Sequence, residues 1–206
     1  MPLSRERVLA TALAVADAEG LAAVTMRRLG AELGIEAMSL YHHVANKSAL
    51  LDGMVDAVFA EVAPPAGAYW KAALRRHYAS LRAVLAAHSW AIPLLDSRAS
   101  PGLATLARHD AVLGVLRTAG FTIPLAGHAI AALDAFVYGF AVQEAGLRQV
   151  PVPDVARETV AGVDEGAFPH LVELAREHVL QPGYSFAAEF DWGLDLVLDG
   201  LGTQLT

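Results

Sequence analysis

The hydrophobic and polar positions between Thr25 and Lys47 form two short helical patterns separated by one tight turn. Leu29 and Leu33 are four residues apart and therefore share one helix face, and Thr25 is a good N-cap for that helix. Gly34 follows at the point where the helix must end in a residue that tolerates positive φ. The spacing is typical of a helix-turn-helix.

The second helix of this unit is predicted from Glu36 to Val44, with Leu40 and Val44 facing inward. Gly30 leaves room for the two helices to approach closely. The outward positions carry a short, mixed set of side chains: Ala37, Met38, Ser39, Tyr41, His42 and His43. Such a face can enter the major groove of DNA while the preceding helix lies across the phosphates.

Helical periodicity continues through the rest of the chain, and no alternating segment is long enough to predict a strand. A first helix is predicted from Ser4 to Ala18, and a connecting helix from Lys47 to Val62 ends before the proline pair at 64–65. Further helices are predicted over residues 69–88, 92–97, 101–119, 124–148, 167–180 and 185–204. Residues 149–166 are polar enough to form a loop or one marginal turn. The chain is therefore predicted to be all-α.

The most apolar of these helices contains the run from Leu125 to Val142. Its length suits a membrane span, but a carboxylate inside a bilayer is costly and this run includes Asp134. Small residues along the run would permit close packing of helices: Ala129, Ala132, Ala135 and Gly139. We therefore expect no membrane contact and a four-helix bundle between two subunits, formed with the helix from Ser185; the alternative is a core helix of a monomer.

The composition argues against several classes of protein. The 206 residues include no cysteine, so the chain has no disulfide framework, no thiolate nucleophile and no cysteine-based metal site. Gly-x-Ser-x-Gly, His-Glu-x-x-His and glycine-rich phosphate loops are absent, and the eight histidines have no metal-binding spacing. We expect neither catalysis nor a cofactor. The first residues could be mistaken for a signal peptide, but Glu6 and Asp17 argue against one, so a cytoplasmic location is expected.

Charge is distributed unevenly along the chain. The formal net charge is −7, yet residues 1–50 carry five Lys or Arg and five Asp or Glu, so the acidic excess lies in residues 51–206. A polyanion would be repelled by the later residues but not by the N-terminal unit. The mean hydropathy of +0.40 is high for a soluble protein, which favours a surface covered by a partner.

These residues resemble the tetracycline-repressor (TetR) family of one-component bacterial regulators. The resemblance is carried by Thr25-Met26-Arg27-Arg28-Leu29, Leu33-Gly34-Ile35, Leu40-Tyr41-His42-His43-Val44 and Asn46-Lys47-Ser48-Ala49-Leu50-Leu51. Ala119-Gly120-Phe121 and Trp192-Gly193-Leu194-Asp195-Leu196 extend it more weakly toward the tetracycline repressors themselves. It implies a helix-turn-helix DNA-binding domain at 1–47, a connecting helix at 48–63, and a helical ligand-binding and dimerisation domain at 64–206. Such a homodimer would bind a near-palindromic operator and release it on binding a small molecule.

The resemblance also implies a role for each exposed position of the helix-turn-helix. Arg27 would reach a base edge, where arginine can donate two parallel hydrogen bonds to guanine. Ala37, Met38, Ser39 and His42 would also face bases, and the DNA backbone would be contacted by Thr25, Met26, Tyr41, His43 and Lys47. The alternative is that these are solvated surface residues, with Tyr41 packed under the first helix.

An effector pocket is predicted from polar residues on otherwise apolar helices. The predicted ligand-binding residues are His77, Leu81, Leu95, His109, His128, Asp134, Tyr138 and Gln143. By the resemblance, Leu95 and Gln143 stand where tetracycline-responsive members have a His and a Glu around the drug and its magnesium. Leu cannot ligate and neutral Gln is a poor substitute for Glu, so we expect an effector other than tetracycline.

We expect the effect of ligand binding to pass from one domain to the other through the connecting helix, because it is expected to be the sole element that contacts both domains. The sign of regulation stays open at this point, since an activator, or a helical binding protein without inducer release, would use the same fold.

Overall fold

The computed structural model describes residues 3–95, 101–147 and 151–205. Within these ranges the chain forms nine α-helices and no strand: α1 (Arg5–Glu19), α2 (Met26–Leu33), α3 (Lys47–Ala60), α4 (Trp70–Ala87), α5 (Leu103–Thr118), α6 (Ile123–Leu147), α7 (Val152–Gly162), α8 (Pro169–Leu174) and α9 (Phe186–Gly202). The all-α prediction is confirmed. Residues 96–97 and 148–150, which the sequence placed in or beside helices, lie outside the described ranges.

Side-chain caps begin the first three helices where the sequence predicts them. The accepting oxygen bonds a backbone N–H of the first turn in each case: Ser4 Oγ at 3.3 Å, Thr25 Oγ1 at 3.1 Å and Asn46 Oδ1 at 2.8 Å. Gly34 ends α2 in the left-handed region with φ 69°. These local signals determine where the helices of the N-terminal unit (residues 3–46) and α3 begin, and where α2 ends.

Gly30 sets how closely α2 approaches the segment after the turn. A Cβ at this position would lie 2.8 Å from the carbonyl oxygen of Ile35 and 3.1 Å from the backbone nitrogen of Ala37. Both contacts are to backbone, which cannot rotate away as a side chain can. Glycine is therefore required for the tight crossing that the sequence predicts.

The recognition segment (Ala37–His42) is a 3₁₀ helix, and the predicted α-helix from Glu36 to Val44 is corrected in both length and type. Leu40 and Val44 are buried as predicted. Its i→i−3 hydrogen bonds run from the Ser39 N–H to the Glu36 carbonyl at 3.0 Å and from the His43 N–H to the Leu40 carbonyl at 2.9 Å. Its outward face is accordingly shorter than the sequence suggested.

Buried apolar side chains form two clusters that meet at α3. Met54 and Val58 on one side of α3 pack with α1, α2 and the recognition segment. Val55 and Phe59 on the other side pack with α4, α5, α6 and α9, which form the core of the body (α4 to α9). α3 is therefore shared by both clusters, although the domain bounds at 47 and 63 stay predictions.

A second element also reaches both clusters. The bridging turn (Ser89–Leu94) is a 3₁₀ helix that follows α4, and its Trp90 and Ala91 are buried in the cluster of the N-terminal unit. The expectation that the connecting helix alone touches both domains is therefore wrong. The reason is long-range packing, because an indole distant in sequence fills space between α1 and α3.

The apolar helix α6 buries one face and exposes another. Its buried stripe, which includes the predicted interface residue Ala129, packs inside the body, whereas Ala132, Ala135 and Gly139 lie on the exposed side. In the described part of the chain, α6 is the one helix long and apolar enough to cross a membrane by length and composition, with a mean hydropathy of 1.6.

α7 replaces the loop or marginal turn expected within residues 149–166. Pro153 lies in its first turn, where the missing N–H of proline has no helical partner to lose, and Asp154 pairs with Arg157 at 2.7 Å. No side chain of α7 is buried. The helix therefore depends on local signals more than on packing.

Candidate DNA-binding surface and effector cavity

The recognition segment presents its predicted DNA-contacting side chains at the surface of the N-terminal unit. Met38 is 71% exposed, and Leu40, on the opposite side, anchors the segment in the core. The other exposed candidates are Thr25, Arg27, Tyr41, His42 and Lys47, and the partly buried ones are Met26, Ala37, Ser39 and His43. Tyr41 is 43% exposed, which is inconsistent with packing under α1. The N-terminal end of α2 and the recognition segment thus carry most of the candidates.

The neighbouring arginines of α2 have different surroundings. The Arg28 guanidinium donates to Glu19 at 2.7 Å and also to Glu32, and the hydrogen bond with Glu19 is the main reason that its pKa is raised. Arg27 makes no ion pair or hydrogen bond with its side chain among the described residues and is exposed. Arg27 is therefore available for a ligand, whereas Arg28 fastens α2 to α1.

A cavity of about 220 Å³ lies between α3, α5 and α6. Its lining combines apolar walls with polar groups from three helices: Asp52, Val55, Asp56, Phe59, Leu95, Pro101, Gly102, Thr105, His109, Asp134 and Tyr138. Four of the predicted ligand-binding residues meet here, namely Leu95, His109, Asp134 and Tyr138. A mostly apolar cavity with a few orienting polar groups is suited to a small organic molecule.

The other four predicted ligand-binding residues lie elsewhere. His77 lines a neighbouring cavity of about 270 Å³, and Leu81 is fully buried in the body. His128 and Gln143 are exposed on α6, because their positions on the helix fall outside its buried stripe. None of these four residues lines the first cavity, because apolar context alone does not tell which face of a helix looks inward, and their role in ligand binding stays a prediction.

Asp134 at this cavity forms a buried ion pair with Arg108, a residue that the sequence did not single out and that lines the neighbouring cavity. The Arg108 guanidinium, whose side chain is 3% exposed, donates to both carboxylate oxygens of Asp134 at 3.1 and 2.9 Å and to the Tyr138 hydroxyl at 3.1 Å. Arg108 precedes the buried Val112 and Leu116 at intervals of four, and this helical spacing could have predicted that Arg108 lies inside.

The environment of Asp134 favours its ionised form. Burial by itself would raise the pKa of Asp134, but hydrogen bonds from His109, 3.1 Å away, and from Arg108 outweigh burial and lower the pKa. The carboxylate therefore stays charged and holds Arg108 in place. Its stabilisation is present above the ordinary aspartate pKa and is lost as the pH falls through the lowered one.

His77 lies beside the second cavity as a neutral ring. Its Nδ1 is 2.7 Å from the carbonyl oxygen of Ala63, which can only accept, so Nδ1 carries the proton. Burial is the main reason that the pKa of His77 is lowered.

Across the described residues, no group of three or more His, Asp or Glu side chains is arranged to hold a metal ion.

Asp56 joins α3 to the wall of the cavity, and the sequence did not single it out. Its Oδ1 accepts the backbone N–H groups of Ala104 at 2.9 Å and Thr105 at 3.2 Å, which are donors left free at the N-terminus of α5. The contact needs glycine at position 102, where a Cβ would lie 2.2 Å from the Asp56 carboxylate. A movement of α5 is thereby tied to a movement of α3.

Known protein families match both the N-terminal part and the body of the chain. Residues 8–54 match the family described as bacterial regulatory proteins, tetR family, and residues 63–205 match the tetracyclin repressor-like C-terminal domain. The chain is 33% identical to the HTH-type transcriptional repressor DrrR1 of Streptomyces coeruleorubidus, over 97% of this chain and 77% of the relative. It is 32% identical to the class D tetracycline repressor of Escherichia coli, over 99% and 91%.

A solved structure shares the whole architecture. The TetR family protein ActR of Streptomyces coelicolor, in complex with actinorhodin, superposes with a TM-score of 0.82 at 30% identity and covers 100% of this chain and 99% of its own. The similarity therefore extends beyond the helix-turn-helix to the body.

We expect Asp134→Asn to lower the free energy of unfolding by about 3–5 kcal/mol, because it leaves the Arg108 charge buried without a counter-ion. Urea denaturation measures the loss. Asp110→Asn, at an exposed position on α5, is the matched control and should change stability by less than about 0.5 kcal/mol.

The double replacement Arg108→Met with Asp134→Leu separates charge from packing. It should recover most of the loss, because neither charge then remains buried. A loss of less than about 1 kcal/mol in Asp134→Asn would show that solvent reaches Arg108 and would contradict the buried pair.

Proposed function

We propose that this chain, which belongs to the TetR family of bacterial transcriptional regulators, is a homodimeric repressor that binds a near-palindromic operator and is released by a small molecule other than tetracycline. Family membership makes it a ligand-binding transcriptional repressor and not an enzyme. The observation that carries the proposal is the family match over both units, since one unit would bind DNA and the other a ligand. We place its action in the cytoplasm, where the operator would be.

The DNA-binding face is proposed to be the exposed surface of α2 and the recognition segment. Arg27 would read a base edge, because it is exposed and its guanidinium is not taken up by a carboxylate. Ala37, Met38, Ser39 and His42 would face bases, and Thr25, Met26, Tyr41, His43 and Lys47 would contact the backbone. Phosphate contacts would position the protein, and the few base contacts would supply specificity.

The homodimer is supported by apolar surface that a single chain leaves uncovered. Trp192 is 69% and Leu196 57% exposed on α9, and Val142 is 57% exposed on α6. Next to them the small residues Ala135 and Gly139 allow another helix to approach closely. A second copy would cover this surface with the same helices, and the two-fold symmetry would place two recognition segments on half-sites ~34 to 36 Å apart.

The effector is proposed to bind in the 220 Å³ cavity, with Leu95, Phe59 and Val55 as apolar wall. Thr105, His109 and Tyr138 would orient its polar groups. Because Asp56 caps α5 from α3, an effector that shifts α5 would also shift α3, and with it the recognition segment. Operator release would then follow from the effector's preference for the shifted arrangement.

We expect Arg27→Ala to lose discrimination at one base pair of each half-site by about 1–3 kcal/mol. The operator is first obtained by selection from random duplexes, and competition binding is then measured on single-base substitutions. Arg28→Ala is the matched control, since Glu19 and Glu32 already hold its guanidinium. A loss in Arg27→Ala that is uniform over all sequences would assign Arg27 to phosphate.

We expect Leu196→Glu to convert the dimer into a folded monomer, because the new carboxylate would be buried in the subunit interface and exposed in a single chain. Light scattering on the eluting protein should report a mass near 21.7 kDa in place of twice that value. Leu103→Glu, at an exposed position of α5, should leave the dimer intact. A dimeric Leu196→Glu protein would refute this interface.

Tetracycline with magnesium should leave the operator complex intact in a mobility-shift titration. Leu95 offers no ligand atom at the cavity, and Gln143 is exposed on α6 and carries no charge. Release of the operator in a dose-dependent manner would overturn this part of the proposal.

A further inference from the structure

His88 joins three elements at the boundary between the N-terminal unit and the body. It follows α4 directly, and its side chain is 11% exposed. Nδ1 lies 2.7 Å from Oδ1 of Asp17 on α1, and Nε2 lies 3.2 Å from Oε2 of Glu61 at the end of α3. One imidazole ring therefore contacts the N-terminal unit, the shared helix and the body at once.

The partners of the ring require its protonated form. An ionised carboxylate oxygen only accepts hydrogen bonds, so both ring nitrogens must donate. A neutral ring has one N–H, and its other nitrogen would direct a lone pair at a carboxylate. Deprotonation therefore breaks one of the two contacts and leaves two carboxylates with no cation between them.

Trp90 strengthens the same junction from the bridging turn. Its indole Nε1–H donates to Oδ1 of Asp17 at 2.6 Å, and its ring stands edge-on to His88 with centroids 6.1 Å apart. The apolar part of the indole is buried in the cluster of the N-terminal unit. Asp17 thus receives two donors from the body, of which the imidazolium alone can be switched off by pH.

We propose that the His88 imidazolium is a positioning residue that fixes the N-terminal unit on the body, so that operator affinity falls as the solution becomes alkaline. The titratable groups that face His88 among the described residues are Asp17 from α1 and Glu61 from the end of α3. The positioning contact exists in the free protein, whereas its effect on the operator rests on the proposed function.

The pKa of His88 has the direction that this role needs. Burial lowers the pKa of His88, but the hydrogen bonds with Asp17 and Glu61 outweigh burial and raise it above the ordinary histidine value. A raised pKa in the folded state means that the stabilisation is complete below the ordinary value, and it is lost as the pH rises through the raised one.

Loss of this contact weakens DNA binding because the N-terminal unit gains orientational freedom relative to the body. When His88 is neutral, each N-terminal unit is held by fewer directional contacts and samples more orientations on its body. A dimer that binds two half-sites must hold both N-terminal units in one orientation. The conformational entropy lost in ordering units that were mobile before binding opposes binding. Operator affinity therefore follows the protonation of a residue that does not touch DNA.

The first test needs no DNA. The ring resonances of His88 are followed by NMR against pH in the full-length protein and are assigned by their absence from His88→Gln. We expect a midpoint above ~6.5, the ordinary histidine value. Glu61→Gln should lower that midpoint without unfolding the protein, because the Glu61 side chain is 50% exposed. A His88 midpoint at or below the ordinary value would overturn the proposal.

The second test measures operator affinity against pH at fixed ionic strength. Wild-type affinity should fall at least about fivefold as the pH passes the His88 midpoint, and Glu61→Gln should show its fall at lower pH. His88→Gln carries the same His42 and His43 at the DNA-binding face, so any titration of those residues is common to both proteins. Its affinity should stay low and change little over that range.

Parallel pH profiles in the wild type and His88→Gln would overturn the positioning role even if the NMR midpoint were raised. Failure to select any operator would instead refute the proposed function, and the NMR midpoints would still decide whether the contact between the two units titrates as proposed.

Discussion

Burial of α3 on two sides is the constraint on which the rest of the molecule depends. Its Met54 and Val58 complete the core of the N-terminal unit, and its Val55 and Phe59 complete the core of the body. Close packing makes such a helix respond as a rigid element, since a core that interdigitates on both sides cannot deform on one side alone. By the proposed mechanism, a displacement at the cavity wall would therefore move the N-terminal unit.

Polar groups around the cavity are already occupied by the protein itself. Arg108 and Asp134 neutralise each other, and Asp56 is engaged by the free amides of α5. Buried charges that lack such partners would destabilise the fold by several kcal/mol, so this network stabilises the wall of the cavity. The proposed effector would then enter a preformed site, and its binding energy would be available to shift helices that polar contacts hold in register.

The predictions made from the sequence rest on local signals. They fail where the structure depends on contacts between residues that are far apart in the chain. Thr25, Gly30 and Gly34 act on their own turn, so the position of the helix-turn-helix could be predicted from them. The 3₁₀ geometry of the recognition segment and the hydrogen bond of Trp90 with Asp17, 73 residues earlier in the chain, depend on packing that no short window contains. The candidate contacts to DNA bases came from family resemblance and not from periodicity.

Weak electrostatics makes orientation decisive for this protein. Residues 1–50 carry as many acidic as basic groups, and Arg28 is already held by Glu19 and Glu32. Few phosphate charges can therefore be neutralised, and counter-ion release contributes less than in a basic DNA-binding protein. In the proposed dimer, affinity would then depend on two recognition segments that meet their half-sites together, with each unit held in one orientation on its body. By this proposal, contacts at that junction, such as His88 with Asp17, would bear on operator binding as directly as the residues proposed to touch the bases.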